Sequence, residues 1–305
     1  MNTFDIHIEI SPILKELGKL ELKSSSSNKI LLKKEKQGQI FVPVSNTVDN
    51  IKLTNIRSFK TPKGKSSNIL VTGIDMFNDG RIVMADQSLR NRLVIINQED
   101  EFFKTIQLED RCYDVAVMDK DTVATTLFLK NNIVIVDVNS SKVQRTIAIK
   151  HGCYGIISTG EQLVVSLWNK TIQFFDLSGN TFFSTLSTAD ISIHCSVLND
   201  KLYYTTHSTD AVYSSDLKGE VRWKFDCQKS DYPLAITNDA SGNIFVACWD
   251  SNQLVVVGHD GKESRVLLTK DDGLQKSRAI HYNCKTNTLV VCNLLGQCFQ
   301  YKVTN

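Results

Sequence analysis

The side chains in this sequence that are able to do chemistry are few and widely spaced. His151, His194, His207 and His281 share no spacing with an aspartate or a cysteine, so neither a metal set nor a nucleophile–base pair can be assembled from them. Asp114 precedes an apolar run, but the equivalent places in the other runs hold glycine, histidine or alanine. The 8 cysteines contain no CxxC pair, and several fall inside apolar runs, where a reduced thiol serves as a small filler. No GxSxG, HExxH, GxGxxG or phosphate loop occurs. The expectation is a protein with no catalytic residue, no metal and no cofactor, hence not an enzyme.

Recognition is the remaining chemistry, and large side chains recur where it would need them. Gln87, Phe128, Trp168, His207, Trp249 and Leu294 each stand five residues after the first apolar residue of a short run. Tryptophan and arginine are frequent interface anchors. Phe128, Trp168, His207, Trp249 and Leu294, with Arg90, Arg92, Lys130, Lys170 and Asp250 around them, form the expected partner-binding ring. The alternative is that these side chains pack against neighbouring elements.

The elements that must position this ring are short strands. Thr72 to Asp110 holds four apolar runs separated by Asn78-Asp79-Gly80, a polar loop from Asp86 to Arg92, and Gln98-Glu99-Asp100. This pattern is a meander of four antiparallel strands. First-strand anchors recur at Ile74, Val115, Ile156, Cys195, Ile236 and Ile280, spaced 41, 41, 39, 41 and 44 apart. Second-strand anchors keep step at Ile82, Val123, Leu163, Leu202, Ile244 and Leu289. A period in the low forties with four strands per repeat predicts an all-β, six-bladed β-propeller. Runs such as Ile133-Val134-Ile135-Val136 are apolar throughout, as strands covered on both faces are.

The sixth repeat ends without a fourth strand, while an orphan strand, Ile51 to Phe59, stands upstream of the first. Joining them predicts a ring closed by an N-terminal strand. The expected domains are a connector over 1–45, with a short helical stripe, a serine tract and a lysine-rich stretch, and a propeller over 46–305. The turns Asp176-Leu177-Ser178-Gly179, Asp216-Leu217-Lys218-Gly219 and Gly258-His259-Asp260-Gly261 each close on a glycine suited to positive φ.

The 305 residues, 42% of them hydrophobic, suffice for one large core, and a net charge of +2 gives no global attraction to nucleic acid or anionic membrane. On the face carrying the ring, eight basic residues (Arg90, Arg92, Arg111, Lys130, Lys150, Lys170, Lys276, Arg278) meet nine acidic ones, which is not a basic patch. No leader and no membrane-length apolar run is visible, so a cytoplasmic, monomeric propeller is expected.

Two stretches, TGIDMFNDGRIVMADQSLRNRLVII and YPLAITNDASGNIFVACWDSNQLVVV, resemble NHL repeats. Pro233, Ile236, Gly242, Asn243, Ile244 and Val246 fit the pattern, as do Gly80, Ile82, Ala85, Asp86, Asn91 and Arg92, while the other blades fit loosely. With the preceding LGKLEL and the serine-lysine connector, residues 5–305 resemble the C-terminal half of tripartite-motif E3 ubiquitin ligases. In that family a RING finger and B-boxes hold zinc and propellers select substrates or RNA; the zinc modules are lacking here. The resemblance implies a non-catalytic scaffold that binds protein partners in ubiquitination. RNA recognition by the same face is the alternative, and a calcium-dependent propeller hydrolase the third reading.

Overall fold

The computed structural model describes residues 48–62, 69–98, 102–177, 182–206, 208–228 and 231–304. The 1–45 connector, His207 and the Ser178-Gly179 turn lie outside the described residues.

Strand β1 (Lys52–Lys60) comes first. Blade 1 follows as β2 (Val71–Met76), β3 (Ile82–Asp86), β4 (Arg92–Ile96) and β5 (Phe102–Gln107). Blade 2 is β6 (Cys112–Val117), β7 (Thr122–Leu127), β8 (Asn132–Asp137) and β9 (Lys142–Ala148). Blade 3 is β10 (Cys153–Ser158), β11 (Gln162–Leu167), β12 (Thr171–Asp176) and β13 (Phe182–Ser187). Blade 4 is β14 (Ser192–Leu198), β15 (Lys201–Thr206), β16 (Ala211–Asp216) and β17 (Val221–Asp226). Blade 5 is β18 (Pro233–Asn238), β19 (Ile244–Cys248), β20 (Gln253–Val257) and β21 (Ser264–Leu268). Blade 6 is β22 (Ser277–Asn283), β23 (Thr288–Asn293) and β24 (Gln297–Thr304), completed by β1 as its outer strand.

The described residues thus form a ring of six four-stranded antiparallel blades, with every anchor residue in the strand that the repeat assigns to it. Closure comes from β1 running antiparallel to β24, from Lys52 opposite Thr304 to Lys60 opposite Gln297. A separate apolar cluster fills each of the six gaps between neighbouring blades. The cluster that closes the ring packs Ile74, Ile82 and Val94 of blade 1 against Ala279, Val290 and Phe59. Sandwiching between blades explains why β3 and β4 are buried at every residue, whereas the outer β17 alternates between exposed and half-buried positions.

Cys112, Cys153, Cys195 and Cys248 are buried free thiols inside these clusters. Where the sequence reading takes cysteines in strands as reduced fillers, Cys292 and Cys298, directly opposite on β23 and β24, are joined as a disulfide. Their cross-strand register, a consequence of the hairpin, brings the sulfurs together.

Candidate functional site at the loop face

Each inner strand starts on the face reached by the connections between blades. In all six blades its ladder to the second strand slips just after the first paired residue, as at Cys112/Val115 and Ser277/Ala279. A bulge re-aims the residues it inserts. The second residue of each inner strand lies in that step: Thr72, Tyr113, Tyr154, Ile193, Leu234 and Arg278. Tyr113, Ile193 and Leu234 are buried and pack with Phe128, Tyr154, Tyr232 and Trp249. Tyr113 meets Tyr154 edge to face with centroids 5.0 Å apart, and Tyr154 lies 5.8 Å from Trp168. Except for Phe128, these side chains and Arg278 line a cavity of about 390 Å³.

Arg278 stacks beside Tyr113 and Trp249 at 5.4 and 5.9 Å, and its Nη2 donates to Tyr113 Oη at 3.3 Å. Burial pushes the Tyr113 phenol up from its ordinary pKa, with the nearby guanidinium offsetting part of the rise.

The loops between second and third strands share this face. All six end on a residue with positive φ: Asn91, Asn131, Lys170, Asp210, Asn252 and Gly296. This left-handed residue turns the backbone into the third strand. Leu89, Leu129, Trp168 and Leu295 sit on four of these loops and are exposed. The other exposed large apolar residues among those described, Ile56, Val143, Val221 and Val266, all lie on outer strands.

Of the residues expected to form the partner ring, Trp168 and Trp249 line the cavity and Phe128 packs beside them. Leu294 is half-buried in its loop, where the Lys276 carbonyl accepts its backbone N–H. Arg90 is half-buried at the rim. Lys130 pairs with Glu109 at 2.7 Å, Lys170 with Asp190 at 3.6 Å, and Asp250 with Lys276 at 2.7 Å, so each joins a loop to the connection beside it. Burial alone would raise Asp190, but hydrogen bonds from Ser208 and Ile191 and the charge of Lys170 bring it below the usual carboxylate range. Arg92 is not at the rim: it is buried, and its Nε lies 2.7 Å from Asp86 Oδ2. Asp86 is an interior acceptor from β3, and it draws the guanidinium inward.

Sequence reasoning finds the carboxylates at the inner strands too sparse to make a site of the axial channel. Its cavity of about 220 Å³ is lined by Asp75, Asp114, His194, Ser196, Thr237 and His281, among others. Inner strands are sheet edges, so their channel-facing N–H groups need acceptors. Asp114 accepts from Val115 N and Ile156 N, each at 2.9 Å, and Asp75 from Met76 N at 2.6 Å and Val117 N at 2.7 Å. Two of the histidines that share no spacing with an acid each find one of these carboxylates: His194 Nδ1 is 3.3 Å from Asp114 and His281 Nδ1 is 2.9 Å from Asp75. His194 Nε2 is buried in the channel with no hydrogen-bond partner. The signal was phase: Asp114 and His194 both precede their anchors by one residue, and Asp75 and His281 both follow theirs by one. Among the described residues no group of three or more His, Cys, Asp or Glu is placed to hold a metal ion, and no helix is long and apolar enough to cross a membrane.

No family model and no curated protein sequence matches this protein. Among solved structures, it is similar to selenomethionine-substituted virginiamycin B lyase from Staphylococcus aureus, with 10% identity and a TM-score of 0.61 over 83% of this chain and 100% of that one. It is also similar to a catalytically inactive histidine-to-alanine variant of that lyase with quinupristin, at 11% identity and a TM-score of 0.60, over 83% and 99% of the two chains. At this identity the likeness establishes the propeller fold. It also corrects the expectation that the protein is no enzyme, because that inference took an absence of familiar motifs as an absence of chemistry. Propellers of this shape include a lyase that is inactive once a single histidine is replaced.

Proposed function

We propose that the protein recognises a protein partner on its loop face, with Leu89, Leu129, Trp168 and Leu295 as the raised contacts and the aromatic cavity at their centre. The observation that carries this reading is the confinement of exposed large apolar residues, among those described, to these loops and the outer strands. Apolar groups clustered on one face, with tryptophan among them, are the usual mark of a protein interface. The rim lysines are matched by Glu109, Asp190 and Asp250, which favours a protein over RNA. The resemblance to the propeller half of tripartite-motif ubiquitin ligases agrees with this role and adds ubiquitin-linked substrate selection to it.

The test compares proteins captured from native extract by the wild type and by a Leu129→Ser, Trp168→Ala variant of unchanged circular dichroism. Partners held by the wild type and lost by the variant are expected. Equal capture would remove the reading.

A second reading is favoured by the unpartnered Nε2 of His194. Nδ1 lies 3.3 Å from Asp114 and Nε2 belongs to a side chain that lines the cavity, the arrangement in which a carboxylate orients an imidazole for general-base work. A lyase of similar fold is inactive once a histidine is replaced. Consumption of quinupristin, followed by chromatography, by the wild type and not by His194→Gln would carry this reading; unchanged quinupristin with both would remove it.

A further inference from the structure

Resting on the recognition reading, we propose that Arg278 anchors a peptide carboxylate, so that the partner enters the mouth as a polypeptide C-terminus whose last side chain is apolar. The aromatic wall takes the side chain and the guanidinium takes the terminal carboxylate.

Among the described arginines, Arg278 is the one with a buried side-chain nitrogen left without a hydrogen bond, whereas three others are held by carboxylates. Arg81 reaches Asp79 at 2.8 Å, Arg92 reaches Asp86 at 2.7 Å and Arg222 reaches Asp216 at 2.7 Å. Arg278 has no carboxylate within ion-pair distance among the described residues, and its one side-chain acceptor there is the phenol of Tyr113. Its Nε is buried and makes no hydrogen bond. A buried donor left unpaired is costly, and the side chain that carries it lines a cavity of about 390 Å³. Tyr113 and Trp249 offer their rings to the cation. Such contacts stabilise the charge but leave in-plane N–H groups unused, and those groups match a carboxylate bidentately.

The shape of the cavity selects the end of a peptide. Tyr113, Ile193 and Leu234 are buried at its base, while Trp168 and Trp249 belong to the loops above. An occupant that reaches Arg278 therefore enters end-on. A C-terminal residue carries an apolar side chain and a carboxylate on the same Cα, which suits a cavity with aromatic walls and a single cation. Three rim lysines, Lys130, Lys170 and Lys276, each have an acidic partner, and among the residues that line the cavity Arg278 is the cation.

The probes are N-acetyl-phenylalanine and N-acetyl-phenylalaninamide, which differ only in the carboxylate, titrated against the full-length protein with tryptophan emission as readout. The acid is expected to bind the wild type roughly ten- to a hundred-fold more tightly than the amide, the range of a charged hydrogen-bonded contact. Arg278→Gln should abolish that preference. Arg278→Lys, which keeps the charge without the fork, should retain part of it and serves if the glutamine variant fails to fold. Equal binding of acid and amide to the wild type would overturn the proposal. So would an acetyl-Asp-Phe-amide dipeptide that binds as tightly as the acid, because the carboxylate would then come from a side chain. Capture from extract separates the two levels. Loss of the partner in the Leu129→Ser, Trp168→Ala variant with full retention in Arg278→Gln overturns the carboxylate anchor alone, while retention in both removes the recognition reading beneath it.

Discussion

Asp114 and His194, from blades 2 and 4, meet in the axial channel with Oδ2 and Nδ1 3.3 Å apart, while the same carboxylate oxygen accepts Ile156 N of blade 3 at 2.9 Å. One side chain ties three blades together. Asp114→Ala would strand two backbone N–H groups and an imidazole, and is expected to cost about 3 kcal/mol in urea unfolding. Gly73→Ala tests the same contact from the opposite side. A Cβ at residue 73 would lie 2.6 Å from Asp114 Cα and collide with Oδ1, for a loss of about 3 kcal/mol.

His281 should make stability depend on pH. Burial alone would press its pKa below the ordinary 6.5, but Asp75, as a charge and as a hydrogen-bond partner, with Asp114 farther off, raises it overall. The folded state then holds the proton more tightly than the unfolded one. The contribution is full below pH 6.5 and is lost as the pH rises through the elevated folded value. Urea midpoints across that window should show the decline in the wild type, and Asp75→Asn should remove it.

Arg92 and Asp86 form a buried pair in which Asp86 Oδ1 also accepts Leu70 N at 3.0 Å and Ser88 N at 3.1 Å. Arg92→Ala would leave a buried carboxylate without its cation, at a cost of about 3–5 kcal/mol. Arg90→Ala, two residues away at the rim, should stay within about 0.5 kcal/mol. Equal, small effects of both changes on thermal melting would show that Arg92 is not a structural residue.

Removal of residues 1–60 should destroy ring closure. It exposes the β24 edge, from Gln297 to Thr304, and takes Phe59 out of the cluster between blades 6 and 1. Size exclusion is expected to show aggregation and circular dichroism a loss of cooperative melting; a monomer that melts like the full-length protein would contradict this.

Lys170 occupies the left-handed turn position that asparagine, aspartate or glycine fills in the other five loops, at φ 62°. A lysine bears backbone strain there that asparagine reduces. Lys170→Asn should raise stability by about 0.5 kcal/mol in urea unfolding, net of the Asp190 contact 3.6 Å away.

The blades were legible in the sequence because each is a local object. Its four strands are joined by short hairpins, and its anchors recur at nearly constant spacing, so the period and the sandwiched apolar runs display the architecture. The orphan strand Ile51 to Phe59 marked the closing edge for the same reason, as a strand left over once the repeats were counted. The placement of Trp168 and Trp249 on one face followed from register alone. Side chains whose partners lie elsewhere in the fold were less legible. Arg92 reads as a rim cation until Asp86 is seen beside it, and Cys292 reads as a filler until the hairpin register sets Cys298 opposite.

By itself, then, the sequence determined the strands, their grouping into blades and the closure of the ring, since these depend on periodicity and turn residues within about forty positions. Only the tertiary structure decided what meets on the axis. There the bulge at each inner strand turns Tyr113, Tyr154 and Arg278 into one mouth, and closing the circle places Asp75 of blade 1 against His281 of blade 6, 206 positions later. Such contacts join residues at equal phase in different repeats, and a linear sequence shows no adjacency between them until it is bent into a ring.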